Sequence, residues 1–571
     1  MIESAGDLPT TKAAPAGRSR SSGLRQFADA ILLLAVAVIL IRSFQVEGYM
    51  ISTGSMAPSL LGYHKRITCP SCRYAFAFGT SYGDSPMPAV EPPRERGRQA
   101  DAQADAQADA LPPESSQVLA RCPNCGQSAI NASFVSPAQG DQLLVHKHAY
   151  SFRRPRRWDT VVFRNPNKPT QAYVKRIAGL PGEKLEIIDG DIYADGSICR
   201  KRLELQRAMR ILVYDQDHRP ADGEKNWKPR WVPQDESSAW KTAGNGFEFT
   251  DLEADQNSEL QPLNWLRYRH WVRAGGQHTT KVTLKAPAGG VRSLEGSPLH
   301  YDAENGTLSC RGALSTQWRD RLSARPEGDD FTRAVEAIYE SSHVAPITDD
   351  YGYNRPENWV VPHPVRDLMI DIELNVIAGT GLFVVQLNDG LQTFDCTLDF
   401  GARELSLTVD GDTRSVRSAR LPGIRIGKPM RLEVSSMDRE LLVAVDGHEH
   451  FAPWIITSKT GAVRPTRVPV RLAARGLQLR VDSLKLYRDV FYTGKGADSA
   501  YIVPDEEYFV LGDNSPVSLD SRSWDNIGVN RQLFLGKPFV VHLPSKPGVV
   551  QVGEKRFHIR IPDASRIRYI R

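Results

Sequence analysis

One stretch sets the first constraint on this chain. Ala30–Ile41, AILLLAVAVILI, runs twelve residues without a polar side-chain atom. At 1.5 Å per residue it rises about 18 Å, short of a hydrocarbon core of about 30 Å. Widening it to Leu24–Val46 supplies the length but takes in Arg25, Asp29 and Arg42. Long basic side chains near the ends can snorkel to the interface. Three readings are open: a cleaved leader, a buried core helix and an uncleaved anchor. A leader should run into a small-residue cleavage site, whereas this run continues Arg42-Ser43-Phe44-Gln45-Val46-Glu47. A core helix would be oddly uniform after a polar, Ser/Gly-rich tail. A transmembrane anchor over 24–46 is therefore expected. The tail 1–23 carries Lys12, Arg18 and Arg20 against Glu3 and Asp7, with Arg25 just beyond. The positive-inside rule puts that tail in the cytoplasm and everything after Val46 outside.

With 571 residues the chain is long enough for several domains. Its net charge of +5 is too weak at this length to argue for nucleic acid. Seven cysteines are too few for a disulfide scaffold.

Three separated segments carry the candidate chemistry. The first, Ser52-Thr53-Gly54-Ser55-Met56-Ala57-Pro58, follows the anchor closely. Alone it is an ordinary turn rich in small hydroxyls. The second is Tyr173-Val174-Lys175-Arg176-Ile177-Ala178-Gly179-Leu180-Pro181-Gly182. Strand alternation puts Tyr173, Lys175 and Ile177 on one face. A lysine between two large apolar neighbours either snorkels or loses solvent, and desolvation turns an amine into a usable general base. The third is Gly512-Asp513-Asn514-Ser515-Pro516-Val517-Ser518-Leu519-Asp520-Ser521-Arg522. Read singly it is a hydrogen-bonded loop; the signal lies in the three occurring in this order.

Together these residues resemble the bacterial type I signal peptidases, membrane-anchored serine endopeptidases with a Ser/Lys dyad. The resemblance covers roughly 24–62, 140–205 and 490–545. It implies Ser55 as nucleophile and Lys175 as general base. It implies an oxyanion hole from the Thr53 hydroxyl and the Ser55 amide, where the family more often has serine at the Thr53 position. Ser518 would position the lysine amine, with Asp520 and Arg522 as a structural pair. The family usually reads G-D-N-R-D-N-S where this chain reads G-D-N-S-P-V-S, so the local loop is expected to differ. The implied partners are the lipid bilayer and preprotein substrates with small residues at −1 and −3. Met56, Leu60 and Val174 are candidate pocket walls, equally explained as core. No cofactor is implied for catalysis.

Ser55 lies 14 residues after Ile41, a tether of at most about 50 Å when fully extended. Catalysis would thus be confined near the membrane surface. A serine hydroxyl needs a base, and a desolvated lysine can serve without a histidine.

Cys69-Pro70-Ser71-Cys72 and Cys122-Pro123-Asn124-Cys125 share the C-x-x-C spacing of a zinc knuckle. Zinc-ribbon-like structural zinc over 67–130, two disulfides and free thiols are all open, with zinc expected. The excess length between the pairs is a low-complexity loop over 85–118, QADAQADAQADA at its centre. Cys199, Cys310 and Cys396 are isolated.

From 206 to 488 the chain leaves the protease pattern. Short alternating segments include Leu368–Leu374, Leu382–Leu387, Thr393–Phe400, Glu404–Val409, Met430–Val434, Leu441–Val445, Val470–Ala474 and Leu477–Val481. Asn388-Asp389-Gly390, Asp410-Gly411 and Asp446-Gly447 mark turns. This predicts a β-sandwich, and "LLVAVDGHEHF" is similar to the concanavalin A/laminin G-like class. Trp227, Trp231, Trp240, Trp265 and Trp271 are further strand residues, or a platform for a carbohydrate ligand; a protein ligand is also open. The expected fold class is mainly β. A protease core in three parts, 47–66, 131–205 and 489–571, is split by the two insertions. The expected function is removal of signal peptides. The rivals are a membrane-tethered carbohydrate- or partner-binding protein on an inactive scaffold, and a self-cleaving Ser/Lys protease.

Overall fold

The computed structural model describes residues 23–80, 118–221, 223–224, 226–252, 262–284, 294–355, 361–412, 414, 416–421, 426–456, 466–494, 500–552 and 555–571. The expectations for the tail before Gly23 and for the low-complexity run Gln99–Ala110 lie outside the described residues.

Gly23–Phe44 is a helix that hands over at once to the strand Val46–Met50. Its Ile31, Leu32, Leu33, Leu34, Val36 and Val38 side chains are exposed, so no protein core covers them and the core-helix reading falls. Among the described residues no helix is long and apolar enough to cross a membrane. The segment expected to be the anchor is thus a helix over Gly23–Phe44.

The sheet that joins the three expected core pieces is antiparallel and woven from distant segments. Its order is Val46–Met50, Gln142–His146, Phe534–Val541, Thr160–Arg164, Ala172–Gly179, Glu507–Leu511 and Val529–Asn530, with Arg568–Tyr569 also paired to Phe534–Val541. Strand alternation sorts the side chains. Val161, Phe163, Ile177 and Val510 fill one face, and Leu143, Val145, Val162 and Val541 the other, with Met56 and Leu60. No piece can bury its apolar face without the other two.

The large insertion is centred on two long strands, Leu368–Asn388 and Val470–Arg488, paired antiparallel within a 14-stranded sheet. The sequence pattern suggests two short strands in each. They are continuous because bulges at Val376/Ala378 and Gly379/Leu382 absorb the break in alternation. Glycine is required there: a Cβ on Gly381 would lie 1.8 Å from the Arg475 carbonyl oxygen. Beyond the bulges Leu368–Asn388 changes partners, from Pro429–Met437 to Thr393–Asp399. The expected sandwich is therefore one bent sheet, its two halves sharing a core that includes Ile370, Leu432, Phe383 and Leu398. Trp231, Trp240 and Trp265 do stand on strands of this sheet. Trp227, Trp231, Trp240 and Trp271 are buried, so they pack the core and form no exposed platform. Two helices, Thr316–Ser323 and Asp329–Ser342, and a three-stranded sheet complete the insertion and were not anticipated from the sequence.

Core and insertion meet at a buried lysine. Lys201 is 3% exposed. Its ammonium pairs with Asp438 and lies 2.8 Å from Asp489, and its amide donates to Asp438 at 2.9 Å. The Asp438 amide donates to Asp367 at 2.7 Å. Removing one partner from such a network strands charge in a dry site. Lys201→Met is expected to destabilise the protein by about 3–5 kcal/mol, read as a lowered Tm or denaturation midpoint. A change within error would show that the acids pair without it.

Candidate active site

The hydroxyl-rich segment forms a 3-10 turn, Gly54–Met56, after an extended Thr53. Met56 is its buried foot, seated among Ile51, Leu60, Leu143 and Val145. Ser55 is half-buried and Thr53 exposed. The Thr53 Oγ1 and Ser55 Oγ lie 3.4 Å apart. The turn sits against the strand Ala172–Gly179, which carries Lys175. Lys175 is 3% exposed, opposite Val161 in the sheet, with its Nζ 5.9 Å from the centre of the Tyr173 ring. The expected alternation holds: Ile177 is buried and Tyr173 partly buried, both in the same apolar cluster.

The Gly512–Arg522 loop closes over both. Arg176, next to the lysine, is buried and binds Asp513 through two hydrogen bonds of 2.8 Å. Asn514 holds the Ser55 turn twice: its backbone N donates to the Ser55 carbonyl at 3.0 Å, and its Nδ2 to the Gly54 carbonyl at 3.1 Å. Gly512 is there because nothing larger fits. A Cβ would lie 2.4 Å from the Ser55 carbonyl oxygen and 2.2 Å from Ser518 Oγ. Ser518 thus reaches the same point as Ser55, and among the described residues its buried Oγ has no hydrogen-bond partner.

Asp520 and Arg522 pair through hydrogen bonds of 2.9 and 2.8 Å. Asp520 also accepts from the Gly512 amide at 3.0 Å, and Arg522 donates to Ser515 Oγ at 2.9 Å. The departure from the family string is accommodated by a short 3-10 turn, Ser515–Val517, whose Ser515 serves the arginine. Burial would raise the Asp520 carboxyl. The Arg522 guanidinium outweighs it, the Lys175 ammonium adds to the pull, and the group is held below the usual carboxylate range.

Of the candidate pocket residues, Met56 and Leu60 are inside the packed cluster and Val174 lies half-exposed at its edge. A cavity of about 660 Å³ opens beside Pro58–Leu61 and is lined by Arg176, Arg207 and Arg568, but not by Ser55 or Lys175.

Two residues of the insertion reach the site and carry no signal in the sequence. Asn354 exchanges side-chain amide hydrogen bonds with Asn514, at 3.0 and 2.6 Å. Tyr353 lies over Gly54, where a Cβ would come 2.3 Å from its ring.

The Cys69–Cys72 and Cys122–Cys125 pairs meet in one buried cluster, all four sulfurs within 4.8 Å of one another. Cys199, Cys310 and Cys396 are buried elsewhere.

Because Asp520 has a lowered carboxyl in the fold, its contribution to stability is complete above the unfolded value of about 3.9. It is lost as pH falls through the folded value. The stability gap between the wild type and Asp520→Asn is therefore expected to be widest near neutral pH and to close below about pH 4. Denaturant midpoints measured across pH test this; a gap independent of pH would refute it.

The model of the signal peptidase family, peptidase S26, matches residues 130–238 and 472–542. A probable signal peptidase I-1 of Synechocystis is 38% identical over 75 residues, 12% of this chain and 38% of the relative. Signal peptidase I of Rickettsia typhi is 54% identical over 53 residues, 9% of this chain and 20% of the relative. The chain thus spans well under half the length of these curated relatives. Among solved structures, galectin LEC-6 of Caenorhabditis elegans overlaps 21% of this chain and 83% of its own, with 13% identity and a TM-score of 0.18. That overlap is too slight to bear on fold or function. Through the matched segments, which include Lys175 and the Gly512–Arg522 loop, this chain is similar to the signal peptidases.

Proposed function

We propose that this chain is a membrane-anchored serine endopeptidase that removes signal peptides from translocated precursors. The observation that carries the reading is the convergence on Gly512. The Ser55 carbonyl and Ser518 Oγ crowd the same point of the loop, and the turn bearing Ser55 rests on the lysine strand. Ser55 Oγ attacks the scissile carbonyl, and Lys175 accepts its proton and returns it to the leaving amine. Ser518, whose hydroxyl is buried beside the Ser55 turn, orients the lysine amine in this reading. The Thr53 hydroxyl and the Ser55 amide stabilise the oxyanion.

Ser55→Ala and Lys175→Ala should each cut kcat on a precursor by about 10,000-fold or more. Lys175→Arg should be as inactive, because a guanidinium does not give up its proton. Thr53→Ser should keep activity, whereas Thr53→Val should lose about 100-fold in kcat. Near-wild-type turnover by either alanine variant would reject the dyad.

The anchor belongs to the same reading. The helix Gly23–Phe44 rises about 33 Å at 1.5 Å per residue, and its described apolar side chains face outward. The basic residues before it favour a cytoplasmic tail and an outer-face active site at the inner membrane. Full-length protein is expected to stay with the membrane through an alkaline wash, while a chain starting at Gln45 is released. Release of both would reject the anchor. The substrates would then be precursors whose apolar segment lies in the bilayer, with small residues at −1 and −3.

A further inference from the structure

The four paired cysteines are built into two copies of one local structure. In the first, the Cys69 amide donates to the Tyr74 carbonyl at 2.9 Å and the Arg73 amide to the Cys69 carbonyl at 3.0 Å. In the second, the Cys122 amide donates to the Gln127 carbonyl at 2.8 Å and the Gly126 amide to the Cys122 carbonyl at 2.9 Å. The fourth residue after each leading cysteine, Arg73 or Gly126, has a left-handed φ, 62° or 72°. Such turns aim both thiols of a C-x-x-C pair to the same side. Each sits at the tip of a hairpin, His64–Thr68 with Ala75–Gly79 and Leu119–Ala120 with Ile130–Asn131.

The sulfurs then face one another across the two turns. Cys69 and Cys125 Sγ are 3.6 Å apart, as are Cys72 and Cys122 Sγ. Zinc bonded to four thiolates at about 2.3 Å sets the edges of its tetrahedron at about 3.8 Å. Disulfides would instead split the four into two bonded pairs of about 2.05 Å. Asn124 Nδ2 lies 3.9 Å from Cys72 Sγ, an N–H···S contact suited to a thiolate. Arg273, from the insertion, spans both turns: it donates to Ser71 Oγ at 2.8 Å and to the Cys125 carbonyl at 3.3 Å. Glu224 holds the arginine in place through an ion pair of 2.6 Å.

From this cluster a short segment leads to the nucleophile. Asp350 pairs with Arg121, beside Cys122, at 3.0 Å. Gly352 lies flat on the second turn, where a Cβ would come 3.0 Å from the Arg121 carbonyl oxygen and 3.1 Å from Pro123. Tyr353 follows. Its carbonyl accepts from the Gly79 amide at 2.8 Å, its hydroxyl donates to the Tyr63 carbonyl at 3.2 Å, and its ring covers Gly54. Asn354 then engages Asn514, which holds the Gly54 and Ser55 carbonyls.

We propose that Cys69, Cys72, Cys122 and Cys125 bind a structural zinc ion, and that this ion positions the Ser55 turn through Asp350–Asn354. The metal half stands on the cysteine geometry alone; the positioning half rests on Ser55 being the nucleophile. Four protein thiolates leave no open coordination position, so the ion takes no part in the chemistry. Thiol ligation by zinc releases protons and changes no oxidation state.

The full-length protein, purified in detergent under reducing conditions without added metal, should contain about one zinc per chain by elemental analysis. Cys72→Ser and Cys125→Ser should lose it. Should these variants fail to fold, the wild type decides: its four thiols should resist alkylation until a strong chelator is added. No bound zinc, iron in its place, or two disulfides by mass would overturn the metal site. Stripping zinc should lower kcat on a precursor by about 100-fold, the cost of a misplaced nucleophile, with KM little changed and activity restored by zinc. Asn354→Ala should keep the zinc and still lower kcat rather than raise KM. Unchanged kcat in both the stripped protein and Asn354→Ala would overturn the positioning role while leaving the metal site standing. An active Ser55→Ala would instead remove the nucleophile on which that role depends.

Discussion

The Arg176–Asp513 pair is the interaction on which the rest of the site depends. It joins residues 337 apart in sequence, both buried, through two hydrogen bonds of 2.8 Å. Taking two charges out of water is costly, and little is gained over an apolar pair of equal volume. What the fork geometry adds is register. Arg176 is fixed in the strand Ala172–Gly179, so Asp513 can sit at one place only. With Asp513 placed, Asn514 meets the Ser55 turn and Ser518 folds back beneath it. Asp520 and Arg522 repeat the arrangement further along the loop, where Asp520 also accepts from the Gly512 amide. Two buried ion pairs therefore bracket the loop that unites the candidate nucleophile with the lysine strand.

The weave of the sheet explains how insertions of this size are tolerated. The first strand of the large insertion, Ile211–Asp215, pairs with its last, Val470–Arg488. The chain leaves the core and returns to it on neighbouring strands, so the core sees a closed loop whatever its length. The core's own strands on either side, Lys184–Ile188 and Ala500–Ile502, pair with each other as though nothing intervened. Lys201 sits at this junction and neutralises acids from both parts, which ties the exit to the return.

Local signals were legible in the sequence, and distant contacts were not. The alternation around Lys175 gave the strand and its buried face because period two is a local property. Asp410-Gly411 and Asp446-Gly447 gave hairpin turns, and both pairs adopt the left-handed φ values those turns need. The C-x-x-C spacing pointed to four thiols that do meet. The sequence pattern breaks the two long strands into fragments, because alternation lapses where Gly379, Gly381 and Gly476 let the backbones touch. The helix Asp329–Ser342 was missed although Phe331, Val335, Ile338 and Tyr339 mark its buried side at helical spacing. Tyr353 and Asn354 could not be found this way. Their partners are Tyr63, 290 residues away, and Asn514, 160 residues away, and no periodicity reports such contacts.

The two insertions are not independent. The cysteine turns bury Cys69, Cys72, Cys122 and Cys125 in the same apolar cluster as Tyr214, Trp227, Phe383 and Leu486 of the bent sheet. Asn124 closes the join, exchanging hydrogen bonds with the Asp215 backbone at 2.7 and 3.2 Å. The combined unit then touches the core at the Lys201 junction and at the Ser55 turn, among other places. A body held at one point can swing about it; held at two, it is braced against that motion. Gly54 and Gly79, where Tyr353 comes closest, let the insertion pack directly against the Ser55 turn. The inserted mass therefore belongs to the framework that sets the position of Ser55, and its stiffness becomes part of the precision of the site.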